Sequence, residues 1–254
     1  NEIMNPIWEE EFNIATYHTD PFGTLKLSSF YELLQDAASR DAARKGFGYN
    51  ELIAQNKFWV LLRVLVNFKR MPDWEEKVCF RTWPKESNGV IAYRDFELIS
   101  ETGEKLVNGT TTWTQVHTET RRPVRIEMEG KYKPITDLHA ILEKPGKVRL
   151  PDSLAWSEEI QVKYSQIDVN WHVNNTRYLE WVMNEIPIDY LKNFMVVAME
   201  VNFLSEGKLH DLVKVGFEKQ RDDQWLACVR RIEDNRDLYA VKLSFAKRED
   251  TFEG

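Results

Sequence analysis

Polar and apolar residues alternate from Glu11 to His18, the pattern of a strand with one buried face. Asp20-Pro21-Phe22-Gly23 then turns the chain. Phe30, Leu33, Leu34, Ala37, Ala38 and Ala42 follow at helical spacing. This predicts a helix capped at Ser28-Ser29 and running to about Arg44, with Gly46 as its left-handed terminator. Strands are predicted next over Phe58–Phe68, Lys77–Trp83, Val90–Ser100 and Lys105–Val116. Pro72-Asp73 and Glu101-Thr102-Gly103 mark turns between them.

From Thr118 to Trp156 the period is lost, and Pro123, Pro134, Pro145 and Pro151 interrupt a stretch of mixed charge. It reads as a connection, with a short helix near Leu138–Leu142. The pattern then restarts. A strand is predicted over Glu159–Tyr164 and a helix over Asn174–Glu185 that stops before Pro187. Strands follow over Val196–Leu204, Asp211–Lys219, Trp225–Ile232 and Leu238–Lys247, with a turn at Asp234-Asn235. The expected domains are an N-terminal one over 1–135, a connector over 136–155 and a C-terminal one over 156–254.

The second round copies the first. A shift of about 148 positions lays Asp20 on Asp168, Phe30 on Tyr178, Glu32 on Glu180 and Leu33 on Trp181. Val66-Asn67-Phe68 repeats as Val201-Asn202-Phe203. The shared order of one helix and then four strands argues for two copies of one fold. The copies differ where chemistry is at stake. Asn170 stands where the first copy has Phe22, His172 where it has Thr24, and Glu206 where it has Met71. The first copy keeps the shape and loses the polar groups.

Composition narrows the class. The 254 residues are 43% hydrophobic, enough for a sizeable core, and include nine Trp. The formal net charge of −7 argues against general nucleic-acid binding. Cys79 and Cys228 are isolated, suggest no disulfide framework, and read as buried small hydrophobes. No apolar run approaches the roughly 20 residues of a membrane span. The acidic start has no signal-peptide core, so a complete chain is expected in the cytoplasm, with a clipped transit peptide as the alternative.

The densest set of reactive groups is Asp168-Val169-Asn170-Trp171-His172-Val173-Asn174-Asn175, followed by Tyr178 and Trp181. With Trp59-Val60, Pro72, Trp74, Thr82-Trp83 and Thr120-Arg121-Arg122-Pro123 in the first half, the chain resembles the acyl-acyl carrier protein thioesterases, the plant fatty acyl type and its bacterial relatives. The resemblance covers nearly the whole chain. It implies an α+β tandem (double) hotdog, two copies of a long helix wrapped by an antiparallel sheet, forming one continuous sheet. It implies hydrolysis of fatty acyl-acyl carrier protein to free fatty acid, with no metal and no other cofactor. The implied partner is acyl carrier protein bearing a phosphopantetheine-linked acyl chain; a homodimer is left open. An acyl-CoA thioesterase, a non-catalytic acyl-binding module and a hotdog dehydratase are the alternatives.

The residues themselves suggest the chemistry. A helix start offers free N–H groups and a positive dipole end to a developing oxyanion, which points to Val173, Asn174 and Asn175. Asn170 and His172, two apart, would project to one side of an extended run. Asn170 can orient but not deprotonate water; His172 can do either. Asp168 would orient the imidazole or the amide, or else serve the turn. The family's pattern implies an acid in the strand after the helix, near a Cys. Ser205 stands in the place of that Cys, and Glu206 is the expected acid, with Glu200 as the fallback. An acyl cavity would draw on Phe30, Leu33, Leu34, Trp59, Leu61 and Trp83, which are equally candidates for plain core. Arg121, Arg122, Arg125, Lys131 and Lys133 form the densest basic cluster and the candidate carrier-docking face, or else a solvated connector.

Overall fold

The computed structural model describes residues 5–127 and 134–248, so Lys131 and Lys133 lie outside the described residues. The chain divides into two compact units at Pro145/Gly146. In the first, β1 (Trp8–Asn13) leads to α1 (Leu27–Arg44) and a short α2 (Tyr49–Ile53). Then come β2 (Lys57–Phe68), β3 (Lys77–Ser87), β4 (Ala92–Ser100), β5 (Lys105–His117) and β6 (Pro123–Val124). They form an antiparallel sheet in the order β1-β3-β4-β5-β2, with β6 on β5.

The second unit holds β7 (Ala155–Trp156), β8 (Ile160–Gln161), α3 (Asn175–Glu185) and α4 (Ile188–Asn193). After them run β9 (Phe194–Phe203), β10 (Leu212–Arg221), β11 (Gln224–Arg231) and β12 (Arg236–Lys247). Its order is β10-β11-β12-β9, antiparallel throughout, with β7 and β8 sharing the outer edge of β10. Strand for strand this is the order of the first unit. The repeat is therefore a repeat of topology, one long helix against one antiparallel sheet in each copy.

The helices form where an apolar stripe faces a sheet. Phe30 of α1 is fully buried and meets Phe68, Phe80 and Phe96 at ring distances of 5.5–6.2 Å. Tyr178 of α3, its counterpart, stacks on Tyr239 at 5.5 Å and meets Trp181 edge-on at 5.6 Å.

Several local expectations are corrected. Thr16–His18 is a 3₁₀ turn, not the end of a strand, and the second copy repeats it at Tyr164–Gln166. The strand expected over Glu159–Tyr164 is only Ile160–Gln161. The first helix begins at Leu27 with Lys26 at its cap; Ser28 and Ser29 are buried inside its first turn. Gly46 does terminate that helix, at φ +85°. No helix forms at 138–142, because the sheet claims that segment's backbone groups. Asp95 accepts the Ala140 N–H at 2.9 Å, Asn108 donates to the Ala140 carbonyl at 2.8 Å and Trp83 to the Leu138 carbonyl at 3.3 Å. Cys79 is half-buried rather than buried, whereas Cys228 is fully buried and burial pushes its thiol up to about 12.

Candidate active site

The loop that enters α3 is a tight turn. Asp168 N–H donates to the His172 carbonyl at 2.8 Å, and Trp171 N–H to the Asp168 carbonyl at 3.0 Å. Asp168 Oδ1 accepts the N–H groups of Asn170 at 2.8 Å and His172 at 3.3 Å. The Asp168 carboxylate thus holds the loop's own backbone. Trp171 takes the left-handed conformation at φ +62°, rare for a bulky residue. The run is therefore not extended, and the alternate-position argument for Asn170 and His172 does not apply to it. Asn170 is exposed, and among the described residues its side chain takes no hydrogen bond.

The loop then docks on the segment that follows β9. His172 pairs with Lys208 in an antiparallel bridge, and Val173 N–H donates to the Gly207 carbonyl at 2.9 Å. This register brings Glu206 alongside His172, with Oε2 lying 3.3 Å from Nε2. The imidazole is largely buried at 12% side-chain exposure; the carboxylate keeps 39%. Glu200, the fallback acid, accepts the Gly146 N–H at 2.6 Å and pairs with Lys242 at 2.9 Å. Of the two acids, the structure brings Glu206 to the imidazole.

Three groups that the sequence did not single out for roles hold Glu206 in place. Arg231 donates to its carbonyl at 3.2 Å while forking onto Asp234 at 2.9 and 2.7 Å. The Tyr178 hydroxyl accepts the N–H of Gly207, the next residue, at 2.9 Å. Burial pushes that phenol far above the usual tyrosine range, so the hydroxyl keeps its proton. Gly207 leaves no room for a side chain, since a Cβ there would lie 2.9 Å from Val173 Cγ2 and 3.0 Å from the Tyr178 hydroxyl. A signal for the Tyr178 contact existed in the repeat. The first copy has Phe30 and Pro72 at these two places, a ring without a hydroxyl and a residue without an N–H.

The start of α3 is more selective than expected. Asn174 is its cap, with Oδ1 accepting the Thr176 N–H at 3.0 Å and the Thr176 hydroxyl at 2.9 Å. The Val173 N–H is bound by Gly207, and the Asn174 N–H by the Gln166 carbonyl at 2.9 Å. Asn175 is different: among the described residues its N–H has no acceptor. Of the three expected donors, that one is available to an oxyanion.

The other expected residues are dispersed. Phe30 and Leu34 are core residues of the first unit, as are Leu33, Leu61 and Trp83. Trp59 is half-buried and donates Nε1–H to the Phe47 carbonyl at 3.0 Å. Arg121, Arg122 and Arg125 are exposed around β6, with Arg121 at φ +57° and its guanidinium 4.9 Å over the Phe58 ring. Among the described residues no three His, Cys, Asp or Glu side chains cluster as metal ligands. Among the described residues no helix is long and apolar enough to cross a membrane.

Comparison with known proteins gives a consistent result. Residues 6–132 match the model of the acyl-ACP thioesterase N-terminal domain, and residues 151–247 that of the acyl-ACP thioesterase C-terminal domain. A chloroplastic palmitoyl-acyl carrier protein thioesterase of Gossypium hirsutum is 29% identical over 214 residues, which is 79% of this chain and 52% of that protein. Oleoyl-acyl carrier protein thioesterase 2 of Arabidopsis thaliana, also chloroplastic, is 24% identical over 224 residues, 81% of this chain and 61% of that one. The chain thus spans between half and two thirds of the length of these relatives. Among solved structures, an acyl-ACP thioesterase from Bacteroides thetaiotaomicron superposes with a TM-score of 0.89 at 24% identity, covering 97% of this chain and 100% of that one. A 12:0-ACP thioesterase from Umbellularia californica gives 0.84 at 20% identity, with 98% and 100% covered. The fold is the tandem hotdog of those structures.

Proposed function

The chain belongs to the acyl-ACP thioesterase family, and from that premise we propose that it hydrolyses the thioester of fatty acyl-acyl carrier protein to free fatty acid. The observation that carries this reading is the His172–Glu206 pair at 3.3 Å, beside a helix start whose Asn175 N–H is unspent. Glu206 faces Nε2 and so favours the tautomer with the proton there, leaving Nδ1 as the basic nitrogen. That nitrogen takes a proton from water as the water oxygen attacks the acyl carbonyl carbon. The carbonyl oxygen becomes an oxyanion against the Asn175 N–H and the positive end of α3. Collapse breaks the C–S bond, and His172 returns the proton to the departing thiolate. Asn170, exposed on the same loop, orients the water. Asp168 holds the loop that carries both groups.

An acyl-binding role for the N-terminal unit belongs to the same proposal. Trp59, half-buried where Phe30 and Leu34 are core, is its first candidate. Arg121, Arg122 and Arg125 are proposed contacts for the acidic surface of the carrier. The test is turnover of carrier-linked acyl chains of varied length by the wild type and by His172→Ala. Inactivity of the wild type at every length ends the enzyme reading. Full activity of His172→Ala ends the site assignment.

A further inference from the structure

The two copies carry opposite charge at one corresponding surface. In the second unit the turn after β9 is Lys208-Leu209-His210, and Lys163 lies beside it, since Val162 donates to the Asp211 carbonyl at 2.9 Å and accepts from His210 at 3.0 Å. In the first unit the same turn is Asp73-Trp74-Glu75, and Ala15 takes the place of Lys163. The backbone is conserved between them. His210 and Glu75 are both left-handed, at φ +72° and +64°. Asp211 accepts the Lys208 N–H at 2.9 Å, as Glu76 accepts the Asp73 N–H at 2.9 Å. One scaffold thus presents two acids in one copy and two lysines with a histidine in the other.

The acids near the basic turn are engaged by partners of their own. Asp168 holds its own loop, Glu206 lies on His172, and Asp211 takes Lys208 N–H and Arg231. Lys163, Lys208 and His210 are exposed, and among the described residues neither lysine ammonium has a partner. In a chain of net charge −7 this leaves a local cationic rim one bridge partner away from His172. The indole of Trp171, 73% exposed, adjoins it where the first copy has Gly23.

We propose that Lys163, Lys208 and His210 bind the anionic phosphodiester through which a phosphopantetheine arm is joined to its carrier protein, with Trp171 as the apolar contact along the arm. The proposal rests on the thioesterase reading for its ligand, but its test does not require turnover. The probes are acyl carrier protein with the arm and without it, titrated against the full chain. The wild type should bind the armed carrier more tightly than the bare one, and added salt should narrow the gap. Reversing both charges, Lys163→Glu with Lys208→Glu, should cut affinity for the armed carrier about tenfold and leave the bare carrier's unchanged. The Lys163→Arg, Lys208→Arg variant should restore the preference. Equal losses for both carriers would mean that the lysines meet the carrier's surface and not the arm, and would overturn the proposal. So would an unchanged preference, or a wild type that binds both carriers alike. A chain that binds the armed carrier as described yet hydrolyses nothing would refute the thioesterase reading alone.

Discussion

The loops entering α1 and α3 share a backbone frame and differ in what it carries. Asp20 Oδ1 accepts Phe22 N–H at 2.9 Å and Thr24 N–H at 3.1 Å, as Asp168 Oδ1 does for Asn170 and His172. Asp20 N–H reaches the Thr24 carbonyl at 2.8 Å, and Leu25 N–H the Pro72 carbonyl at 2.9 Å, matching the bonds of Asp168 and Val173. Thr24 bridges to Asp73 as His172 bridges to Lys208. What this teaches is a division of labour inside the motif. The aspartate belongs to the frame, because it performs the same task in the copy that lacks the imidazole. The groups that change, Phe22 to Asn170, Thr24 to His172 and Met71 to Glu206, are those placed on the frame.

The largest effect should come from emptying the second frame. His172→Ala should lower kcat on acyl-carrier thioesters by about 10²–10⁴, the range for a lost general base, and Glu206→Gln should follow with a smaller loss. Grafting Thr24→His and Met71→Glu onto the first frame of the His172→Ala protein should not restore turnover. The start of α1 has Lys26 at its cap and no side-chain cap bond, where α3 has Asn174. The first frame also keeps Phe22 in the place of Asn170, so the graft has no amide to orient the water. Restored hydrolysis would show that the frame and two side chains suffice, and would break the comparison.

How much of this was legible beforehand follows from the range of the forces involved. The α1 and α3 helices and the long strands rest on local periodicity, which the chain writes out residue by residue. The capping Asn174 and the odd polar letters Asn170 and His172 are local too, and the internal repeat sharpened them. The 138–142 segment was misread because its backbone partners, Asp95, Asn108 and Trp83, sit on distant strands. Lys208 opposite His172, and Tyr178 under Gly207, depend on the register between a loop and the exit from β9. No single stretch of sequence records that register.

A second contrast concerns charge inside the units. Asp41, fully buried near the end of α1, accepts from Lys45 at 2.6 and 2.7 Å, from Arg94 at 2.8 Å and from Arg44 at 2.8 Å. In the second copy α3 ends at Glu185, before any counterpart of Asp41, and the acid of the next helix, Asp189, is exposed and paired with Lys192. Burial alone would raise the Asp41 carboxyl, but Arg94 and the Lys45 hydrogen bond outweigh it and hold the group below its ordinary range. Its contribution to stability is therefore full at neutral pH and is lost as pH falls through that depressed value. Asp41→Asn should cost about 3–5 kcal/mol, since it strands buried cations, and should flatten the acid limb of the stability curve. Asp189→Asn should change melting hardly at all. Chemical denaturation of both variants across the acid range checks the pair.

The frame itself should fail alike in both copies. Asp20→Ala and Asp168→Ala each leave loop amides without acceptors, at a cost of roughly 1–3 kcal/mol. Asp20 also accepts the Thr24 hydroxyl at 3.1 Å, so its variant should melt at least as low. Only Asp168→Ala should also lose turnover, measured at a temperature where both variants remain folded. If Asp168→Ala melted like the wild type while losing activity, the carboxylate would have a chemical role beyond the frame.

Tyr178→Phe converts the second copy toward the first at one atom. The ring and its stacking on Tyr239 remain, but the Gly207 N–H loses its acceptor, because Gly207 has an N–H where Pro72 has none. The stability cost should be about 1 kcal/mol, at the lower end for an orphaned buried donor, since the opened space lies beside a half-exposed carboxylate. Gly207 follows Glu206 directly, so a freed amide lets the acid drift from Nε2. The expected signature is a lower kcat with KM little changed, because the hydroxyl positions the acid and does not hold the substrate. The reciprocal change, Phe30→Tyr, should destabilise the first unit without touching kcat, since the added hydroxyl would be buried among Phe68, Phe80 and Phe96. If Tyr178→Phe raised KM and spared kcat, the hydroxyl would belong to substrate binding, and Phe30 and Tyr178 would not be equivalent core positions distinguished by one hydrogen bond.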